Sequence, residues 1–201
     1  MKNNKSANNI KRILILGHSG FIGSHLMRNF CDKEPQIELI GKSIPEIDLT
    51  KLEDVKSLSP FFDMETVVIM CAAIKRQFGD NLDTFSQNLA MVTNLCRILE
   101  QRLAKRFIFF SSAAVYGEDI SNTNITEDTP VCPTSFYGMA KYICERLLIK
   151  NFNQSSKGSL FILRPPLIYG PGDMGSTYGP AGFIKAALNN EKITLWGDGL
   201  E

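Results

Sequence analysis

The stretch ILILGHSGFIGSHL, residues 13–26, runs from an apolar strand pattern through a glycine loop directly into a helical pattern. No other feature restricts the fold as much. Gly17, Gly20 and Gly23 recur at every third residue. In a strand–turn–helix of this kind the first glycine permits a tight turn. The second lets a pyrophosphate approach the backbone, and the third lets helix and sheet pack closely. Free N–H groups and the positive end of the helix dipole favour an anion at this point. A dinucleotide is the expected ligand, and a glycine-rich turn without ligand is the competing reading. His18 lies inside the loop and His25 on the helix. With no carboxylate or cysteine cluster beside them, both read as structural side chains rather than metal ligands.

The remaining chain extends this alternation. Strand patterns occupy RILILG (12–17), IELIG (37–41), TVVIMCAA (66–73), RFIFFSS (106–112) and LFILRPP (160–166). Their continuous apolar character predicts strands buried on both faces. Between them, Phe85, Leu89, Val92, Cys96 and Leu99 share one helical face, as do Ala140, Ile143, Cys144, Leu147 and Leu148. Alternating strands and helices imply an α/β fold with right-handed crossovers, a Rossmann-type doubly wound parallel sheet. Residues 1–10 read as a disordered tail, 11–168 as the dinucleotide-binding domain and 169–201 as the start of a substrate-binding region. The glycine- and proline-rich loop YGPGDMGSTYGPAG (169–182) opens that last part and leads into a short helix over 183–188. Loops of this length in compact domains are usually functional or mobile.

Charge and cysteine usage remove several function classes. Lysine plus arginine total 22 against 21 acidic residues, so no field points to nucleic acid. The cysteines, Cys31, Cys71, Cys96, Cys132 and Cys144, are odd in number and form no CxxC pair. Neither a disulfide framework nor a zinc site is expected, and the setting reads as reducing and cytoplasmic. Cys71 and Cys96 fall within apolar patterns and read as small core residues. No apolar run approaches the roughly 20 residues of a membrane helix, and the polar start lacks the apolar stretch of a signal peptide.

NAD-binding folds often carry an acidic residue at the end of the second strand, about 20 residues beyond the loop, for the ribose hydroxyls. Here that strand ends LIGKS, with Gly41 at the expected place and Lys42 and Ser43 after it. Lys42 and Ser43 suit a 2′-phosphate, so NADP stands beside NAD as the expected cofactor. An ordinary solvated Lys42 is the alternative. Asp48 and Leu49, in EIDLT, are placed to flank the adenine.

The fourth strand pattern delivers Ser111 and Ser112 to its carboxyl end, where open α/β sheets bind ligands. Downstream, Tyr137 and Lys141 in SFYGMAKY lie one turn apart on a helix face. Lowering a tyrosine from pKa about 10 to about 7 takes roughly 4 kcal/mol. A unit charge at ~4 Å in an effective dielectric of ~20 supplies about that amount. Tyr137 is thus a candidate general base towards a hydroxyl while hydride moves to a nicotinamide, with Ser112 holding the same oxygen. An exposed helix pair is the plain alternative.

GHSGFIGSHL, CAAIK, Asn88 in NLAMVTNL, FFSSAAVYG, FYGMAKYICE, RPPLIYGPGD and WGDG follow in this order. With them the chain resembles the extended short-chain dehydrogenases/reductases, the NAD-dependent epimerase/dehydratase group acting mainly on nucleotide sugars. The resemblance covers about residues 11–201. It implies a catalytic trio of Ser112, Tyr137 and Lys141, with Lys141 also reaching the nicotinamide ribose. It implies cofactor contacts in the first loop at Gly17, Ser19, Gly20, Phe21, Ile22 and Gly23. Further contacts are implied at Cys71, Ala72, Ala73 and Lys75, and at Asn88, Tyr137, Lys141, Arg164 and Pro165. Lys75 matches a lysine that approaches the cofactor phosphates in the UDP-galactose epimerase branch. The segment 164–169 matches one leading from the nicotinamide towards the substrate.

Departures from the family pattern narrow the implied reaction. The 4,6-dehydratase branch places an Asp-Glu pair directly after the catalytic hydroxyl residue, as acid and base for water elimination. Ala113 and Ala114 stand there instead. The resemblance therefore implies an epimerase or reductase acting on a UDP-, dTDP- or GDP-linked sugar. Family members continue beyond the point where this chain ends, at WGDGLE, so the substrate domain is expected to be mostly absent. A dinucleotide-binding module with little activity is the rival reading. A reductase of a non-sugar carbonyl, as in the plant flavonoid branch, is a third. Family members commonly form homodimers through helices around 81–103 and 137–153. Met91, Leu95 and Ile98 fit such a dimer face, or packing on the sheet.

Overall fold

A computed structural model describes residues 10–117, 124–154, 158–173 and 179–193. Among these residues the strands are β1 (Arg12–Leu16), β2 (Glu38–Lys42), β3 (Thr66–Met70), β4 (Arg106–Phe110) and β5 (Ser159–Leu163). All pair in parallel, in the order β2-β1-β3-β4-β5. The helices are α1 (Phe21–Lys33), α2 (Leu52–Ser57), α3 (Leu82–Leu99), α4 (Phe136–Gln154) and α5 (Gly179–Leu188). The predicted tail falls almost wholly, and WGDG wholly, outside the described residues.

Successive strand side chains point to opposite faces, so a wholly apolar strand needs cover on both. Ile13 and Ile15 of β1 and Val67 and Ile69 of β3 pack on one side against Leu26, Met27 and Phe30 of α1. Leu14, Leu16, Val68, Met70, Phe107 and Phe109 face the other side. Val92, Leu95, Cys144 and Leu148, from α3 and α4, cover them there. The sheet is doubly wound in the expected Rossmann-like manner.

Burial on both faces holds at the centre and not at the edges. Every residue of β3 is buried, whereas β2 and β5 are only partly covered. Leu160 and Ile162 of β5 join the core, while Phe161 and Leu163 remain 48% and 43% exposed. The apolar cluster on α1's side takes in Ile108 and Phe110 of β4 but stops short of β5. Helix positions also differ from expectation. Met91, Leu95 and Ile98 are buried against the sheet, which removes them from any dimer face, and Ile143 is 37% exposed. An apolar stripe wider than the contact leaves its inner edge undefined by periodicity alone. Helix α5 begins at Gly179, earlier than expected.

The turn between β1 and α1 sets the geometry of the whole carboxyl edge. Gly17 has φ +86° and its N–H donates to the Lys42 carbonyl at 2.7 Å. A Cβ added at Gly23 would lie 2.2 Å from the Gly17 carbonyl oxygen. That contact is with backbone, which cannot swing aside. Gly23→Ala is accordingly predicted to destabilise the chain by roughly 1–3 kcal/mol through overpacking. Urea unfolding of wild type and variant measures it, and an unchanged midpoint would contradict the packing described.

Candidate active site

The carboxyl ends of β1, β3 and β4 open onto a cleft of about 680 Å³. That is the volume range of small-molecule sites, and the cleft lies at the switch between β1 and β3, where open α/β sheets take ligands. Gly17, Ser19, Gly20, Phe21, Ile22 and Gly23 line one end. Helix α1 starts at the Gly20 cap, which makes no side-chain cap hydrogen bond among the described residues. A Cβ added at Gly20 would meet only the Gly17 oxygen, at 3.3 Å. The bare backbone thus faces open space, and no described side chain caps the first helix N–H groups, which fits the pyrophosphate of a dinucleotide.

Lys42, Ser43, Asp48 and Leu49 form one wall. Lys42 is not a free cation, since its ammonium pairs with Glu46. Asp48 accepts from the Thr50 N–H at 3.0 Å and from its hydroxyl at 2.7 Å. Chiefly through that hydroxyl, its carboxyl is held below the usual carboxylate range.

Across the cleft lie Cys71, Ala72, Ala73, Lys75, Ser112, Tyr137, Lys141 and Pro165. Ser135 accepts from the Gly138 N–H at 3.1 Å, and Asp80 from the Tyr137 N–H at 2.9 Å, so the start of α4 is capped twice. A Cβ added at Gly138 would lie 2.5 Å from the Ala114 oxygen. This close approach lays α4 against the 3₁₀ turn Ala113–Tyr116 and brings Tyr137 into the cleft that Ser112 also lines. The Ser112 hydroxyl oxygen accepts from the Ala114 N–H at 3.2 Å, leaving its proton for another acceptor.

Lys141 is buried, and its Nζ donates to the Phe110 carbonyl at 2.6 Å. The amine stands 5.8 Å from the Tyr137 ring centre and 4.8 Å from that of Phe109. Burial pulls the ammonium down to about 8, while Cys144, Cys71 and Glu145 act in the opposite sense. Burial likewise pushes the Cys71 thiol up to about 12, so it stays protonated.

Two expected cofactor contacts sit elsewhere. Asn88 and Arg164 are absent from the cleft wall. The Asn88 carboxamide accepts from the Ile74 N–H at 2.9 Å and donates to the Ile74 and Thr84 carbonyls at 3.0 and 2.9 Å. It ties down the segment after β3. Arg164 grips Glu145 through Nε at 2.9 Å and Nη2 at 2.7 Å, and its Nη1 donates to the Tyr116 hydroxyl at 2.8 Å. In both, the polar groups are already engaged within the chain. Glu145 escaped the sequence reading. It is fully buried, and it accepts from the Ser111 hydroxyl at 2.5 Å. Its position one turn beyond Lys141, beside the apolar stripe of Ala140, Cys144 and Leu148, is the signal that the sequence offers.

The family described as "NAD dependent epimerase/dehydratase family" matches residues 13–201. An N-acetyl-alpha-D-glucosaminyl-diphospho-ditrans,octacis-undecaprenol 4-epimerase of Escherichia coli O157:H7 is 29% identical, over 83% of this chain and 51% of that protein. A decarboxylating sterol-4-alpha-carboxylate 3-dehydrogenase of Saccharomyces cerevisiae is 31% identical, over 82% and 53%. The solved UDP-glucose 4-epimerase of Thermus thermophilus, in complex with NAD, is 26% identical. It superposes with a TM-score of 0.75 over 92% of this chain and 65% of that one. The chain thus spans about half to two thirds of the length of the relatives it matches. Solved neighbours carry NAD or NADPH.

Lys141 makes stability depend on pH. Below about pH 8 the amine is charged in both folded and unfolded chains, and folding bears the cost of burying it. Between about 8 and 10.5 the folded amine is neutral while the unfolded one keeps its proton. The unfolded state then binds more protons, so stability rises with pH. Relative to Lys141→Met, wild type is predicted to gain on the order of 3 kcal/mol across that window. Paired denaturant curves at several pH values test this, and a constant gap would refute it.

Proposed function

The chain belongs to the NAD dependent epimerase/dehydratase family, and from that premise we propose that it binds NAD or NADP and serves hydride transfer at a nucleotide-sugar carbon. One observation carries the reading: Ser112, Tyr137 and Lys141 line the same cleft as the uncapped glycine turn. The nicotinamide, when bound, supplies the hydride acceptor. Gly17, Ser19, Gly20 and the start of α1 hold its pyrophosphate. Ser112 donates its hydroxyl proton to the substrate oxygen. Tyr137 removes the proton from a substrate hydroxyl and returns it in the reverse direction. Lys141, cationic at neutral pH, favours the anionic phenol and keeps its own place through the Phe110 carbonyl.

Epimerisation is the favoured outcome. The E. coli and Thermus relatives are 4-epimerases, and Ala113 and Ala114 offer no ionisable atoms for eliminating water. The UDP-, dTDP- and GDP-linked hexoses are the substrates to try. A second reading, oxidation or reduction at a non-sugar carbon, draws support from the yeast sterol dehydrogenase relative. We further propose a homodimer through α3 and α4, for which exposed Leu82, Met139 and Ile143 are candidate contacts. Free cysteines accord with a reducing compartment such as the cytoplasm.

Tyr137→Phe removes the proton acceptor and leaves the ring in place. Turnover of a nucleoside-diphosphate hexose, followed by NMR of the sugar, is predicted to fall about 10²–10⁴-fold. The NADH dissociation constant should change far less than the rate, since only the hydroxyl is removed and the ring that lines the cleft stays. A variant retaining most of the wild-type rate would refute Tyr137 as the general base. Binding of NADH by wild type, with no turnover of any sugar or alcohol tried, would favour a dinucleotide-binding module instead.

A further inference from the structure

We infer that His18 and Gly41 form an interlocked pair that keeps a carboxylate out of the ribose end and so favours a dinucleotide bearing a 2′-phosphate. This rests on the dinucleotide reading of the cleft. Gly41 of β2 stands in register with Ile15 of β1. Ile15 belongs to the core on α1's side, and partners in parallel register share a face. A side chain at position 41 would therefore project beneath the glycine loop. That space is taken. A Cβ added at Gly41 would lie 2.5 Å from His18 Cγ, 2.7 Å from Cδ2 and 2.8 Å from Cβ. These are the root and ring of the imidazole, not the end of a flexible chain, so position 41 carries a side chain only if His18 gives up the space.

An acid at this strand end hydrogen-bonds the ribose 2′-hydroxyl and repels a 2′-phosphate. With Gly41 in its place both effects disappear. The next residue, Lys42, stands in register with Leu16, on the opposite face, and lines the cleft together with Ser43. The ribose end thus presents an ammonium and a hydroxyl. Of the carboxylates nearby, Asp48 is committed to Thr50, and Glu46 is the exposed partner of Lys42. A phosphate carries more charge and more acceptor oxygens than Glu46 and competes with it for the ammonium. The His18 Nδ1 is buried with no partner among the described residues. At that atom the imidazole therefore contributes volume and no hydrogen bond, and its replacement breaks none there.

Fluorescence titration of the 201-residue chain with NADH and with NADPH reads the preference without turnover. Wild type is expected to bind NADPH more tightly than NADH, and Glu46→Gln to tighten NADPH alone. Gly41→Asp by itself should lower the melting temperature, because the ring blocks it. His18→Ala with Gly41→Asp should restore folding and move the affinity ratio towards NADH by about tenfold or more. A wild type that binds NADH as tightly as NADPH, or more tightly, would overturn the inference. So would a folded double variant with an unchanged ratio. If the double variant does not fold, the wild-type ratio and Glu46→Gln still decide. Binding of neither dinucleotide by wild type would instead overturn the cofactor reading itself, and this inference with it.

Discussion

Glu145 has no exposed surface, and the carboxyl edge of the sheet is organised around it. Its two oxygens hold the Arg164 guanidinium from the end of β5 and the Ser111 hydroxyl from the end of β4. Arg164 passes the constraint on to Tyr116, 4.9 Å from its ring centre and bonded to its hydroxyl. A two-point Arg–carboxylate contact adds directional precision to attraction. Removing one partner of a buried pair costs about 3–5 kcal/mol, because the other charge is left without compensation. Ser112, the 3₁₀ turn and α4 are therefore parts of one frame. The distances at Tyr137 are inherited from it.

Lys141 sits inside that frame at a cost. Its ammonium has lost water and gained a carbonyl, two aromatic faces and the charge of Glu145 one helical turn away. These partners keep the amine charged at neutral pH without restoring the value of a solvated lysine. A charge held in a low-dielectric place acts strongly on a neighbouring hydroxyl. Stability has been given up at the place proposed for proton transfer.

The glycine loop was legible because its information is local. Gly17, Gly20 and Gly23 specify a turn and a close approach between residues a few positions apart, and the surrounding apolar runs specify strand and helix. The central strands were legible for the same reason, being apolar at every position. Edges were not. Phe161 and Leu163 read like Val67 and Ile69, yet only the order of strands decides which of them has a neighbour and a covering helix. Periodicity likewise marked an apolar stripe on α3 without saying that Met91, Leu95 and Ile98 form its inner edge.

Residue type and spacing determined that this chain forms a doubly wound sheet, with a glycine turn at one strand end and a Tyr137–Lys141 pair on a later helix. The strand, turn and helix patterns behind them follow from contacts within one turn or one strand. Tertiary structure alone decided which polar side chains face the cleft and which are absorbed by the protein. Asn88 and Arg164 look like ligand-binding residues in sequence, and they are committed to Ile74, Thr84, Glu145 and Tyr116 by contacts from 4 to 48 positions apart. Gly41 looks like a missing acid, and the fold shows it as the space His18 requires. A hydrogen bond or a steric contact between distant residues has no spacing rule, because the chain between them can take any path that the packed sheet allows.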